Sequence, residues 1–154
     1  MAILNYALTL EYLETAFYQE AVKKGAISGA ALSAARIVAG HEAAHVAFLK
    51  KALGRKAVKK PRFDFKNTTS DQPTFLKTAV VLEDTGVRAY AGQGTRIKSP
   101  AIVKAAFSIH SVEARHAAHF RALAGNSFAP RSFDRASSMK SVLRAVGKTG
   151  FIKS

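Results

Sequence analysis

Glu11, Glu42 and His45 recur as Glu83, Glu113 and His116, at displacements of 72, 71 and 71 residues. The repeat divides the chain into two halves with one plan: a helix bearing a Glu, then 31 or 30 residues later a second helix bearing Glu-x-x-His. Side chains three residues apart share one face of a helix, so each Glu-x-x-His can offer a carboxylate and an imidazole to one centre. Buried carboxylates are strongly disfavoured unless they are paired or coordinate a cation. Four of them converging in one core therefore call for two divalent ions.

The flanking sequence obeys the same displacement. Leu10 answers Leu82, Tyr18 answers Tyr90, Ala43 answers Ala114 and Gly54 answers Gly125. A single Glu-x-x-His is a common surface pairing and weak evidence. Two of them, each preceded by a Glu on an apolar face, make the ligand pattern of di-iron and di-manganese carboxylate bundles. In this arrangement Glu42 and Glu113 lie between the metals, His45 and His116 bind one metal each, and Glu11 and Glu83 close the outer sides.

The element pattern agrees. Ala2 to Lys24 is rich in Ala, Leu and Glu and stops at Gly25, which predicts a first helix. Ser28 is placed to cap a second, running to about Leu53 with Gly54 as its stop. Arg55 to about Asp71 is basic, aperiodic and interrupted by Pro61, so it reads as a long crossover. Asp71 or Ser70 caps a third helix from near Pro73 to about Ala91, which Gly92 and Gly94 are expected to break. Ser99-Pro100 opens a fourth that continues to Gly125, and a short amphipathic piece from about Ser137 to Val146 follows in the tail. The predicted fold is all-α: a four-helix bundle with a long crossover between helices two and three. It forms one domain over residues 1–154, with the bundle at about 2–125 and the tail at 126–154.

Composition narrows the chemistry. There is no cysteine, so disulfides and thiolate metal sites are excluded and any metal is held by oxygen and nitrogen. The 24 Lys and Arg against 10 Asp and Glu give a net charge of +14. If the four repeated glutamates point inward, only six acids remain outside. Lys50, Lys51, Arg55, Lys56, Lys59, Lys60 and Arg62 cluster in one stretch, either as a solvated face or as a surface for DNA or another polyanion. No apolar run reaches the length of a membrane span, and the start has neither a basic n-region nor a small-residue cleavage site. As written the chain reads as soluble and cytoplasmic, and a precursor trimmed of an export signal would read the same.

Leu4-Asn5, Leu10-Glu11 and Tyr18 resemble the first metal-ligand helix of bacterioferritins. More closely, Leu82-Glu83-Asp84-Thr85-Gly86-Val87, Ala89-Tyr90-Ala91-Gly92 and Val112-Glu113-Ala114-Arg115-His116-Ala117-Ala118 resemble the bacterial and fungal ferritin-like domains known as desiccation- or stress-related. The tail from Phe133-Asp134 through Val142-Leu143 to Phe151-Ile152 is similar to the end of those domains. The resemblance, which covers about residues 2–125 and then this tail, implies the ferritin-like superfamily, with Glu42 and Glu113 bridging, Glu11 and Glu83 terminal, and His45 and His116 on one metal each. Iron is the expected metal, with manganese as the substitute. Many relatives carry an export signal.

Several residues stand outside the repeat. His41, His110 and His119 match Val112, Ala39 and Phe48, and read either as ordinary hydrogen-bonded histidines or as an ion path or supporting shell. Glu14 lies one turn past Glu11, where its counterpart is Gly86, and is either a surface residue or a third carboxylate near the site. Asp84 is expected to pair with Arg88 on the exterior. Tyr18 and Tyr90 are candidates for ligand support or electron donation, with core packing as the alternative.

Three functions compete. The favoured one is oxidation of Fe(II) by oxygen or peroxide at a binuclear centre, as a ferroxidase or an oxidative-stress protein. The second is a structural or storage metal protein whose basic exterior binds DNA or another polyanion. The third is a zinc metalloprotease through His41-Glu42-Ala43-Ala44-His45, which leaves the matching triad of the second half unexplained. Homo-oligomers are compatible with all three.

Overall fold

The computed structural model describes residues 1–153. It is all-α, with α1 (Ala2–Lys24), α2 (Gly29–Leu53), α3 (Gln72–Gly94), α4 (Pro100–Leu123) and α5 (Met139–Thr149). A 3-10 turn at Gly54–Lys56 and two short strands, β1 (Arg62–Phe63) and β2 (Ile152–Lys153), complete it.

The helix ends follow local chemistry. Gly25 ends α1 at φ +67°, a left-handed conformation that glycine adopts without a Cβ penalty. Asp71 caps α3, its Oδ1 accepting the Thr74 N–H at 2.8 Å. Pro100 occupies the start of α4, where a missing N–H costs nothing. Ser28 and Ser99 hold the cap positions of α2 and α4 without side-chain cap bonds. The Ser28 N–H instead donates to Gln72 Oε1 at 2.9 Å.

Two compact units partition the chain. The first comprises Met1–Phe75 and the segment from Val146 onward, and the second is Leu76–Ala145. In the first, α1 and α2 form a hairpin over buried Leu8, Leu13, Ala31, Ala35 and Leu49. Phe17 anchors an aromatic cluster: it stacks on Phe75 at 5.3 Å and meets Phe65 edge-on at 5.4 Å, while Phe65 meets Phe151 at 5.3 Å. Such rings bury large apolar areas and favour offset or edge-on geometry. β1 pairs antiparallel with β2, Arg62 opposite Lys153 and Phe63 opposite Ile152. A two-residue strand leaves no alternating pattern to read, so the sequence gives no hint of this pairing.

In the second unit, α3 and α4 are linked by residues 95–99, and Leu82, Val87, Ile109, Ala117 and Phe120 are buried. Here two expectations change. α3 runs unbroken through Gly92 to Gly94, and α5 spans Met139–Thr149 rather than Ser137 to Val146. Gly92 serves close packing instead of breaking a helix: a Cβ there would sit 1.9 Å from the Ser137 carbonyl oxygen. The tail crosses at this point, fixed by the Ser137 N–H donating to the Arg88 carbonyl at 3.0 Å.

Candidate metal centre

Each unit gathers one Glu, Glu-x-x-His triad. In the first, Glu11 lies 14 residues before the turn residue Gly25 and Glu42 lies 14 after Ser28, so a hairpin with equal rise per residue brings them level. Both carboxylates are fully buried. His45, one turn past Glu42, places Nδ1 3.1 Å from Glu11 Oε2 and 3.2 Å from Glu42 Oε2.

The second unit repeats the construction. Glu83 lies 12 residues before Thr95 and Glu113 lies 14 after Ser99, an offset of only two residues, about 3 Å of helix rise, across a short link. Both are fully buried, and His116 is buried beside them with Nδ1 3.3 Å from Glu83 Oε2. In each triad one ligand atom from every member lies within 4.8 Å of the others. Two carboxylates and an imidazole form a hard oxygen and nitrogen donor set suited to Fe(II) or Mn(II). Full burial of the carboxylates supplies the reason for a cation, because an uncompensated buried carboxylate is costly. The triads fit a metal and can hold one.

The residues outside the repeat scatter. His41 and His119 are exposed, and His110 is half-buried with its Nε2 enclosed. His41 is not among the residues whose ligand atoms cluster with those of Glu11, Glu42 and His45. Glu14 is buried, which leaves five acids for the exterior rather than six: Glu20, Asp64, Asp71, Asp84 and Asp134. Its position three residues past Glu11, on the same helix face, was the available signal. Burial, and secondarily the Glu14 carboxylate, push the pKa of the Tyr6 hydroxyl up. Tyr18 is fully buried, edge-on to Phe17 at 5.2 Å and to Phe75 at 6.0 Å, so it packs in the aromatic cluster. Tyr90 is half-buried.

Asp84 corrects a local expectation. Its carboxylate pairs with Arg121 of α4, while Arg88 Nε donates to the Asp84 main-chain carbonyl at 2.8 Å. A partner 37 residues away won over the i,i+4 neighbour, because α4 delivers a guanidinium directly to the carboxylate. Among the described residues no helix is long and apolar enough to cross a membrane.

Residues 1–126 match the family model described as Ferritin-like domain. No curated protein compared with the chain matches it.

Proposed function

The chain belongs to the ferritin-like domain family, and from that premise we propose that it is a binuclear metal carboxylate protein that oxidises Fe(II) with oxygen or peroxide. The observation that carries the reading is the pair of triads with fully buried carboxylates, each with two carboxylates and an imidazole on a helical hairpin. We assign Glu42 and Glu113 as bridging ligands, Glu11 and Glu83 as terminal ligands, and His45 and His116 to one metal each. Within the family we place the chain among the desiccation- or stress-related domains, on the segments Leu82–Val87 and Val112–Ala118.

Two Fe(II) ions, bound as substrate by Glu11, Glu42, His45, Glu83, Glu113 and His116, would supply the two electrons that reduce oxygen, with two protons, to hydrogen peroxide without releasing superoxide. The chain's own groups prepare this. Four buried carboxylates set the charge that draws divalent cations inward, and the surrounding apolar side chains hold them in register. Manganese substitutes because oxygen-rich sites discriminate poorly between the two metals. Tyr18 and Tyr90 enter as supporting residues outside the triads, to be tested by phenylalanine replacement. Anaerobically loaded protein exposed to oxygen should oxidise Fe(II), and Glu42→Ala combined with Glu113→Ala should abolish it. Oxidation by that double variant at the parent rate would defeat the proposal.

A second reading concerns the exterior of the first unit. Lys50, Lys51, Arg55, Lys56, Lys59, Lys60 and Arg62 are all exposed, a density of charge suited to DNA or another polyanion. Retardation of duplex DNA that weakens steeply with salt supports this role, and none at low salt removes it.

A further inference from the structure

We propose that the second unit carries a phosphate-binding cleft, separate from its metal triad, formed where the tail folds back over α3 and α4. The cleft encloses about 190 Å³. That is below the roughly 300–1,000 Å³ of pockets for drug-sized ligands, and equals about six waters at ~30 Å³ each. A small anion fits it, and a whole cofactor does not.

Its charge selects the class. Arg88, Arg121, Arg131 and Arg135 line it against Asp84 and Asp134. Asp84 is already paired with Arg121, which leaves three further guanidiniums facing one carboxylate. Arg131 and Arg135 make no hydrogen bond or ion pair among the described residues, and both are exposed on the tail. Guanidinium groups present paired donors that match the oxygens of a phosphate, and several converging on one cleft form an anion site rather than a solvated face. Ala114 and Ala118 form part of the lining, and their small side chains leave the space open.

The cleft is built, not incidental. Arg121 Nη1 donates to the Phe128 carbonyl at 3.3 Å, the Asn126 N–H donates to the Arg121 carbonyl at 2.8 Å, and Ser137 is tied to Arg88. Gly92 lets the tail pass against α3. Asp84 and Ala114 each follow a triad glutamate by one residue, about 100° round the helix, so the cleft opens on a different face of α3 and α4 from Glu83 and Glu113. Phe128 is 66% exposed at the rim, placed for the organic part of a phosphate ester to lie against.

The test is site-resolved, because so basic a chain binds phosphate weakly in many places. Side-chain Nε–H resonances of Arg88 and Arg121 are followed by NMR in the 154-residue chain, at constant ionic strength, during titration with inorganic phosphate and, separately, with adenosine 5′-monophosphate. Saturable shifts at both arginines are expected, with affinity falling about tenfold or more in Arg131→Ser combined with Arg135→Ser. Both replaced residues are exposed, so the fold is retained, and unchanged backbone spectra verify it. Tighter binding of inorganic phosphate identifies the free ion as ligand, and tighter binding of the nucleotide identifies a phosphate ester. Absence of saturable shifts with either probe, or equal affinity in the double variant, overturns the proposal.

Discussion

The two halves carry one triad in two settings. In the first, His45 stands within 3.2 Å of both its glutamates with 11% of its side chain exposed, and a further carboxylate, Glu14, is buried one turn along α1. In the second, His116 approaches Glu83 at 3.3 Å with 6% exposed, and the position matching Glu14 is Gly86. The unit of the first triad is closed by stacked aromatic rings and the pairing of β1 with β2. That of the second is closed by a strap of backbone hydrogen bonds and arginines. The halves share the triad and a few flanking residues such as Leu10 and Leu82, while Glu14, the aromatic cluster and the tail strap belong to one half only. The different settings make the two halves unequal surroundings for the same triad.

The largest expected effect tests how the first half is closed. Phe17→Ala removes a fully buried ring with three aromatic neighbours and should cost about 3–5 kcal/mol in urea denaturation. A cost below about 1 kcal/mol would show that the cluster does not hold that half together. Next comes the equivalence of the triads. His45→Ala and His116→Ala should each weaken one of two metals by about 100-fold, roughly 2.7 kcal/mol, measured by competition with a chelator. The comparison breaks if either variant keeps both metals at parent affinity.

Smaller effects concern the straps. Gly92→Ala forces the tail off α3 and should cost about 1–3 kcal/mol while increasing proteolysis within residues 126–138, with metal content unchanged. Smallest is Asp64 at the strand pair. The Lys66 backbone N–H, 2.9 Å from Asp64 Oδ1, and then Lys153 hold its pKa below the ordinary value. A depressed carboxylate stabilises the fold above the usual carboxylate range and loses that contribution as pH falls through its folded value, below about pH 4. Thermal melts of Asp64→Asn should therefore lie below the parent at pH 6, with a gap that narrows at a pH below about 4. A constant gap at both pH values would assign the loss to something other than ionisation.

Much of this was legible in the sequence because it is local. Gly25, Asp71 and Pro100 mark helix ends through backbone chemistry that neighbours alone decide. The six repeated residues announce their helix faces by spacing, and the structure brings them together as two triads. What escaped depends on distant partners. Gly92 looks like a breaker until the tail is seen crossing it, and Asp84 looks like a partner for Arg88 until α4 brings Arg121. Glu14 has no repeat partner, so the pattern that flags Glu11 is silent about its burial. The β1 and β2 pairing joins residues some ninety positions apart, beyond any local signal.

The central claim is that the two triads together host two metal ions. Elemental analysis of protein loaded anaerobically with Fe(II) and freed of excess metal tests it directly. About two irons per chain, falling to none in Glu42→Ala combined with Glu113→Ala, is the predicted result. One iron or fewer in the parent, or an unchanged count in the double variant, would contradict it.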